Sequence, residues 1–191
     1  VVSVYVLLQR REILNFFKSL GKAMFKENTY KSLGRYFNRT NEIFFNFIAG
    51  QVIDGFVVGV ITSIAMLTMG VKYAVPLGFM IGLFNLIPYF GAIIAVIIAT
   101  LITFLTGGLT QAIFMVIVVT ILQQIDANII NPKIIGNSLE ISQLLVIFAV
   151  TVGGAYMGVW GMFLAVPIIA VIKLFITDYI EYKNKIKQTQ E

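Results

Sequence analysis

The sequence has no cysteine and no histidine, one tryptophan and four prolines, and charged residues fill only 12% of its 191 positions. Without Cys and His there is no thiol chemistry, no Cys/His metal site and no imidazole base, and the redox compartment stays open. Soluble chains carry about a quarter charged residues, so water does not solvate most of this one. Apolar residues take their place, at 59% of the sequence and a mean hydropathy of +0.92. Lipid is the expected solvent. No Ser/His/Asp set, zinc spacing or phosphate-cradling glycine loop occurs. An enzyme is therefore not expected, no cofactor or metal centre is implied, and no ATP-driven step is expected of this chain.

The scarce charges are unevenly placed. Eight of the fourteen Lys and Arg lie between Arg10 and Arg39, and three more are Lys183, Lys185 and Lys187. The positive-inside bias puts both regions on the cytoplasmic side, C-terminus included. Anionic lipid headgroups, not nucleic acid, are the expected counter-charge for the net +5. Residues 1–8 (VVSVYVLL) form an apolar run stopped by Gln9, Arg10, Arg11 and Glu12, which reads as the end of a truncated spanning helix. From Ile13, the apolar positions Phe16, Phe17, Leu20 and Met24 alternate with Lys18, Lys22 and Lys26, the pattern of an amphipathic helix on the membrane face. Asn28 and Thr29 offer an N-cap for a second helix carrying the basic stripe Lys31, Arg35 and Arg39, with Gly50 or Gly55 as a point of close packing.

Charges then serve as rulers. Seventeen uncharged residues separate Asp54 from Lys72, enough at about 1.5 Å per residue for one span. Between Lys72 and Asp126 lie fifty-three, divided by Gly107-Gly108. The second part, Leu109 to Ile125, is one span. The first, Tyr73 to Thr106, is too long for one upright helix of about 20 residues and too short for two with a turn. Asn85 to Gly91 (NLIPYFG) supplies a break, since Pro88 removes a backbone donor and Gly91 tolerates any φ. Ile141 to Ile172 repeats the arithmetic, with Gly153-Gly154 near its middle. The connector Gln123 to Glu140 is polar, and Pro132 is expected to end the helix before it.

The expected fold class is thus all-α: a polytopic membrane protein with spanning helices, two broken or re-entrant segments and a cytoplasmic amphipathic helix. Residues 1–8 end a spanning helix, 9–49 lie at the cytoplasmic face, 50–175 form the membrane core and 176–191 a polar tail. Within the core the spans are about 52–71 and 109–131, and the broken segments 74–106 and 141–173. If both broken segments leave on the side they entered, the two halves form an inverted repeat, as in many secondary transporters. If each crosses once, the chain crosses four times.

Two clusters are candidate sites. Asn85, Pro88, Tyr89 and Gly91 would offer freed carbonyls and an amide to a cation or a small polyol, with a half-helix N-terminus beyond; the alternative is a sharp packing turn. Asp126 with Gln123, Gln124, Asn128 and Asn131 would supply oxygen ligands to sodium or a protonatable group; the alternative is an interfacial helix end with Asp126 paired to Lys133. On an α-helix Gln124, Asn128 and Asn131 share a face from which Asp126 projects away. Gly153 and Gly154 are the counterpart of the first break, and with Gly158 and Gly161 they also suit close helix packing. Gln51 and Asp54 read as an ordinary helix start, and Trp160 as buried filler.

The strings LIPYFGAII at Leu86 to Ile94, QQIDANIINPKIIGNSLEISQLLVI at Gln123 to Ile147 and GGAYMGVWGMFLAVPIIAVIK at Gly153 to Lys173 resemble the autoinducer-2 exporter family of bacterial membrane proteins. So do RRE at Arg10 to Glu12, GQ at Gly50-Gln51 and GVKYA at Gly70 to Ala74, in the family's order. The resemblance implies the C-terminal membrane half of an oligomeric, multi-pass transporter of the bacterial plasma membrane. It implies export of a small polar solute such as autoinducer-2, or sodium(lithium)/proton antiport. The partners expected are the bilayer, a small polar solute or a monovalent cation or proton, and further copies of the chain. The rival of another class is a non-transporting membrane scaffold or sensor.

Overall fold

The computed structural model describes residues 9, 12, 15–16, 19–20, 23–24, 27–135 and 141–190. The expected spanning end at residues 1–8, most of the amphipathic helix from Ile13 and the end of the polar connector lie outside them. The described chain is helical: α1 (Glu27–Thr68), α2 (Ala74–Phe84), α3 (Phe90–Ile125), a π-helical turn (Asp126–Ile130), α4 (Asn131–Ile135) and α5 (Gln143–Gln190). It forms two compact units, Val1–Glu42 and Ile43–Glu191, and the site described below lies in the second. α1 begins at Glu27, so Asn28 and Thr29 lie within its first turn and not before it.

Three helices are long and apolar enough to cross a membrane, Ser32–Thr68, Phe90–Ile134 and Gln143–Lys185. Their side-chain distribution suits lipid. Along α1 the buried positions Phe47, Gln51, Asp54, Val58, Thr62 and Met66 follow one another at helical spacing, whereas Val52, Phe56, Val60, Ile64 and Leu67 point outward. The polar groups Gln51, Asp54 and Thr62 all face in, among Phe47, Val58 and Met66, and the outward positions are apolar. That order is the reverse of a soluble helix and places the apolar solvent outside.

Two of the three long helices reverse direction within themselves. At Gly108 the backbone leaves helical geometry at φ 80°, ψ 177°. Ala95 and Ala99 before it and Met115 and Val119 after it belong to one buried cluster with Val58, Leu77 and Ile81. In an unbroken helix Ala99 and Met115 would stand about 24 Å apart, so the chain folds back. The other reversal is at Gly158, φ 59°, ψ −141°, and not at Gly153-Gly154 as the sequence suggested. A positive φ favours a residue without Cβ, and Gly158 takes it. Gly153 stays helical because its backbone meets that of Gly161 on the returning arm, an approach only small residues permit. Gly154 lies against Met162. Around the same hairpin, Val150, Ala165 and Val166 pack on Phe47, with Ile87 and Phe90 alongside; the Phe47 and Phe163 ring centroids are 6.1 Å apart. Trp160, next to the turn, is 72% exposed. The turn leaves it no core to fill, so the expectation of buried filler is corrected.

α1 and α2 are joined by glycines. Gly55 and Gly59 face Gly78 and Gly82, so close that a Cβ on Gly55 would sit 2.6 Å from the Gly82 carbonyl oxygen, and one on Gly82 would collide with the backbone of Gly55 and Gly59. Both helices thus use a small-xxx-small stripe to bring their backbones together, and Ser63 extends the stripe on α1 against Gly78. Gly82→Val should cost about 2–3 kcal/mol or more by overpacking, read as a fall in the thermal midpoint of the detergent-solubilised protein. Gly34, which has nothing within 4 Å of a Cβ, is the control: Gly34→Val should leave the midpoint where it is.

Candidate functional site

The glycine contact sets the α2 C-terminus against the inward face of α1, one turn from Asp54. There α2 ends at Phe84, and Asn85 to Tyr89 form the break anticipated from Pro88. Tyr89 has a positive φ of 64°, and the Phe90 amide donates to the Pro88 carbonyl at 2.8 Å. This is the strained form of a γ-turn, held by a non-glycine residue. Gly91, expected to supply conformational freedom, is instead helical and buried. A Cβ there would strike the Phe84 carbonyl oxygen, so its role is close approach. The reason is that the reversal is completed at Tyr89, before Gly91 is reached. The Tyr89 side chain is 43% exposed.

The break aims Asn85 at two carboxylates. Its Nδ2 donates to Asp54 Oδ2 at 2.9 Å and to Asp126 Oδ2 at 3.1 Å. Asn131 Nδ2 donates to the same Asp54 oxygen at 3.2 Å, and Gln51 Nε2 donates to the Leu86 carbonyl at 3.3 Å. Asp54 is fully buried and Asp126 is 5% exposed. The second oxygen of each carboxylate, Oδ1, is buried without a hydrogen-bond partner, and so is Gln51 Oε1.

Asn131 reaches this centre because the helix is not a plain α-helix. Five residues along an α-helix turn through about 140° net of full turns, which would point Asn131 away from Asp126. Over Asp126–Ile130 the chain adopts a π-helical turn, closed by the Asn131 amide donating to the Asp126 carbonyl, and residues five apart come to nearly the same side. Pro132 explains the widening. Its ring crowds the carbonyl four residues back and removes a donor, and the π-turn accommodates both, so the helix continues where the sequence suggested an end. The expected shared face of Gln124, Asn128 and Asn131 is therefore split. Asn128 Nδ2 donates to the Gln124 carbonyl at 2.7 Å, and both side chains are exposed, while Asn131 turns inward. Asp126 faces Asn85, and Lys133 is exposed.

The structure thus brings Asn85 of the first candidate cluster together with Asp126 and Asn131 of the second. It adds Asp54 and Gln51, which had read as an ordinary helix start. Pro88, Tyr89 and Gly91 shape the break without presenting side chains to the carboxylates, and Gly153 and Gly154 belong to the α5 hairpin. Among the described residues no group of three or more His, Cys, Asp or Glu forms a metal cluster.

Two carboxylates within about 3 Å of one amide nitrogen, on helices built for lipid, need a compensating positive charge. Three acceptor oxygens, one on each carboxylate and one on Gln51, are buried there without a hydrogen-bond partner. The profile of the AI-2E family transporter matches residues 1–181. The chain belongs to this family. It is 35% identical over 140 residues to the "Putative transport protein YrrI" of Bacillus subtilis, covering 73% of this chain and 39% of that one. It is 32% identical over 153 residues to YueF of the same organism, likewise titled a putative transport protein, covering 80% and 41%. YhhT of Escherichia coli, with the same title, is 27% identical over 117 residues, 61% of this chain and 34% of that one. The chain spans about two-fifths of the length of the first two relatives. No solved structure matches it. Membership in the AI-2E family and the three long apolar helices support a membrane transport role, in keeping with an inward-facing polar centre.

Proposed function

We propose that this chain carries the ion-coupling site of a secondary transporter, in which the Asp54 and Asp126 carboxylates, bridged by Asn85, bind a proton or a monovalent cation in alternation. The observation that carries the reading is the set of acceptor oxygens left over. Asp54 Oδ1, Asp126 Oδ1 and Gln51 Oε1 are buried without donors, where a merely structural carboxylate would be fully hydrogen-bonded. An oxygen-only donor set with up to two negative charges suits a hard cation, and a proton satisfies the same pair by letting one carboxyl donate. One occupant excludes the other, which is the requirement for antiport.

This favours cation/proton exchange over the alternative of exporting a small polar solute such as autoinducer-2. A drug-sized solute needs a cavity of hundreds of Å³, whereas the cavity beside Asp126 holds about 50 Å³. If a solute is exported, it binds elsewhere and the pair supplies its coupling ion. Proteoliposomes containing the intact protein, under imposed sodium, lithium, proton and solute gradients, test the reading. A sodium or lithium gradient should drive proton counterflow. If no cation gradient moves protons, the coupling role fails, and if no gradient moves anything, the scaffold or sensor reading takes over.

A further inference from the structure

A second polar station lies next to the carboxylate pair. Val58, Ile61 and Thr62 of α1, Leu122 and Ile125 of α3, and Asp126 and Ile130 of the π-helical turn line the cavity of about 50 Å³. Thr62 is 1% exposed, and its hydroxyl has no hydrogen-bond partner. Hydroxyls inside helices ordinarily bond the carbonyl four residues back. Ser63 does so at 2.7 Å, Thr100 at 2.6 Å, and Thr103, Thr106 and Thr151 each at 2.8 Å. Thr62 does not, although full burial makes an unmade bond costly there. Across the cavity, Asp126 commits Oδ2 to Asn85 and leaves Oδ1 without a partner.

We propose that this cavity is a water-bearing access chamber, in which a hydrogen-bonded water links the Thr62 hydroxyl to Asp126 and carries protons to and from the pair. The inference rests on the coupling role proposed above and adds the route and the residue that holds it. The dimensions agree. A water needs roughly 10–15 Å³ of such volume and two to four polar partners; the chamber has room for a few, and Thr62 and Asp126 supply a donor and two acceptors. A hydroxyl both donates and accepts, so it passes a proton without holding a charge. Otherwise the chamber wall is aliphatic, with Val58 between Asp54 and Thr62 along the helix. Thr62 acts through the water it holds and relays, and makes no hydrogen bond to the carboxylate pair itself.

The test uses the intact protein in proteoliposomes and three variants. Thr62→Val keeps the shape and removes the hydroxyl; it should slow proton flux about tenfold or more while leaving sodium binding to the detergent-solubilised protein at equilibrium unchanged. Thr62→Ser restores the hydroxyl and should restore most of the rate. Thr62→Cys should react with a small, membrane-impermeant thiol reagent at a site where the parent, carrying Thr62, does not. The proposal is overturned if Thr62→Val conducts like the parent, if the serine variant is as slow as the valine one, or if the cysteine reacts only with lipid-soluble reagents. Asp126→Asn separates the two levels. If it keeps full flux, the coupling role itself fails; if it loses flux while Thr62→Val does not, only the access chamber fails.

Discussion

Replacing Asp126 by Asn is expected to lower cation-driven proton flux about a hundredfold or more while the protein still inserts and assembles. The substitution keeps the shape and removes one negative charge from the pair. A cation about 4 Å from a unit charge gains on the order of 4 kcal/mol at an effective dielectric near 20. About 1.4 kcal/mol is a factor of ten, so some two-thirds of that gain, about 2.8 kcal/mol, already amounts to a hundredfold. Asp54→Asn should behave alike, because Asn85 serves both residues. The same variants should be at least as resistant to thermal unfolding as the parent, since they relieve two like charges sharing a buried site. Loss of flux with a held or raised midpoint separates a working site from a structural one, where removing a buried charge partner lowers stability. Flux and midpoint falling together would favour the scaffold reading.

The second large effect is expected at Asn85. Its amide is a donor common to both carboxylates, and hydrogen bonds to charged groups are worth about 1.5–3 kcal/mol each. Asn85→Leu removes two of them and leaves the acids apposed across an apolar side chain, with only the Asn131 bond remaining on Asp54. A loss of about 3 kcal/mol follows, measurable as a lower denaturation midpoint in detergent. Asp54→Asn in the same chain should recover part of it, because neighbours in one network are not additive. If Asn85→Leu unfolds at the midpoint of the parent, the bridge does not hold the break in place.

How much of this was legible follows from what each signal depends on. Lipid excludes charge, so the uncharged intervals located the reversal at Gly107-Gly108 and the break between Asn85 and Gly91. Asn85, Asp126 and Asn131 were visible as polar residues in an apolar setting. The arrival of Asn131 beside the other two was not, because it depends on a π-turn five residues long that no spacing rule announces. Asp54 was passed over since a carboxylate at the edge of an uncharged stretch resembles a helix start. The missed signal was periodicity: Phe47, Gln51, Asp54, Val58, Thr62 and Met66 lie on one stripe, opposite Val52, Phe56 and Val60. The paired small-xxx-small motifs at Gly55/Gly59 and Gly78/Gly82 were also in plain view, and they indicate which face of α1 meets α2. Between Gly153 and Gly161 the sequence offers four glycines and no means of telling the one that turns from the two that touch. That distinction belongs to the packing of the arms.

The alternation of proton and cation at one pair of carboxylates can be measured directly. Sodium or lithium chloride is added to the detergent-solubilised intact protein in weakly buffered solution, with choline chloride as the ionic-strength control, and released protons are read with a pH indicator. The account predicts saturable proton release on adding sodium or lithium, none with choline, and loss of the signal in the Asp54→Asn, Asp126→Asn double variant. No release from the parent, or equal release from the double variant, would contradict it.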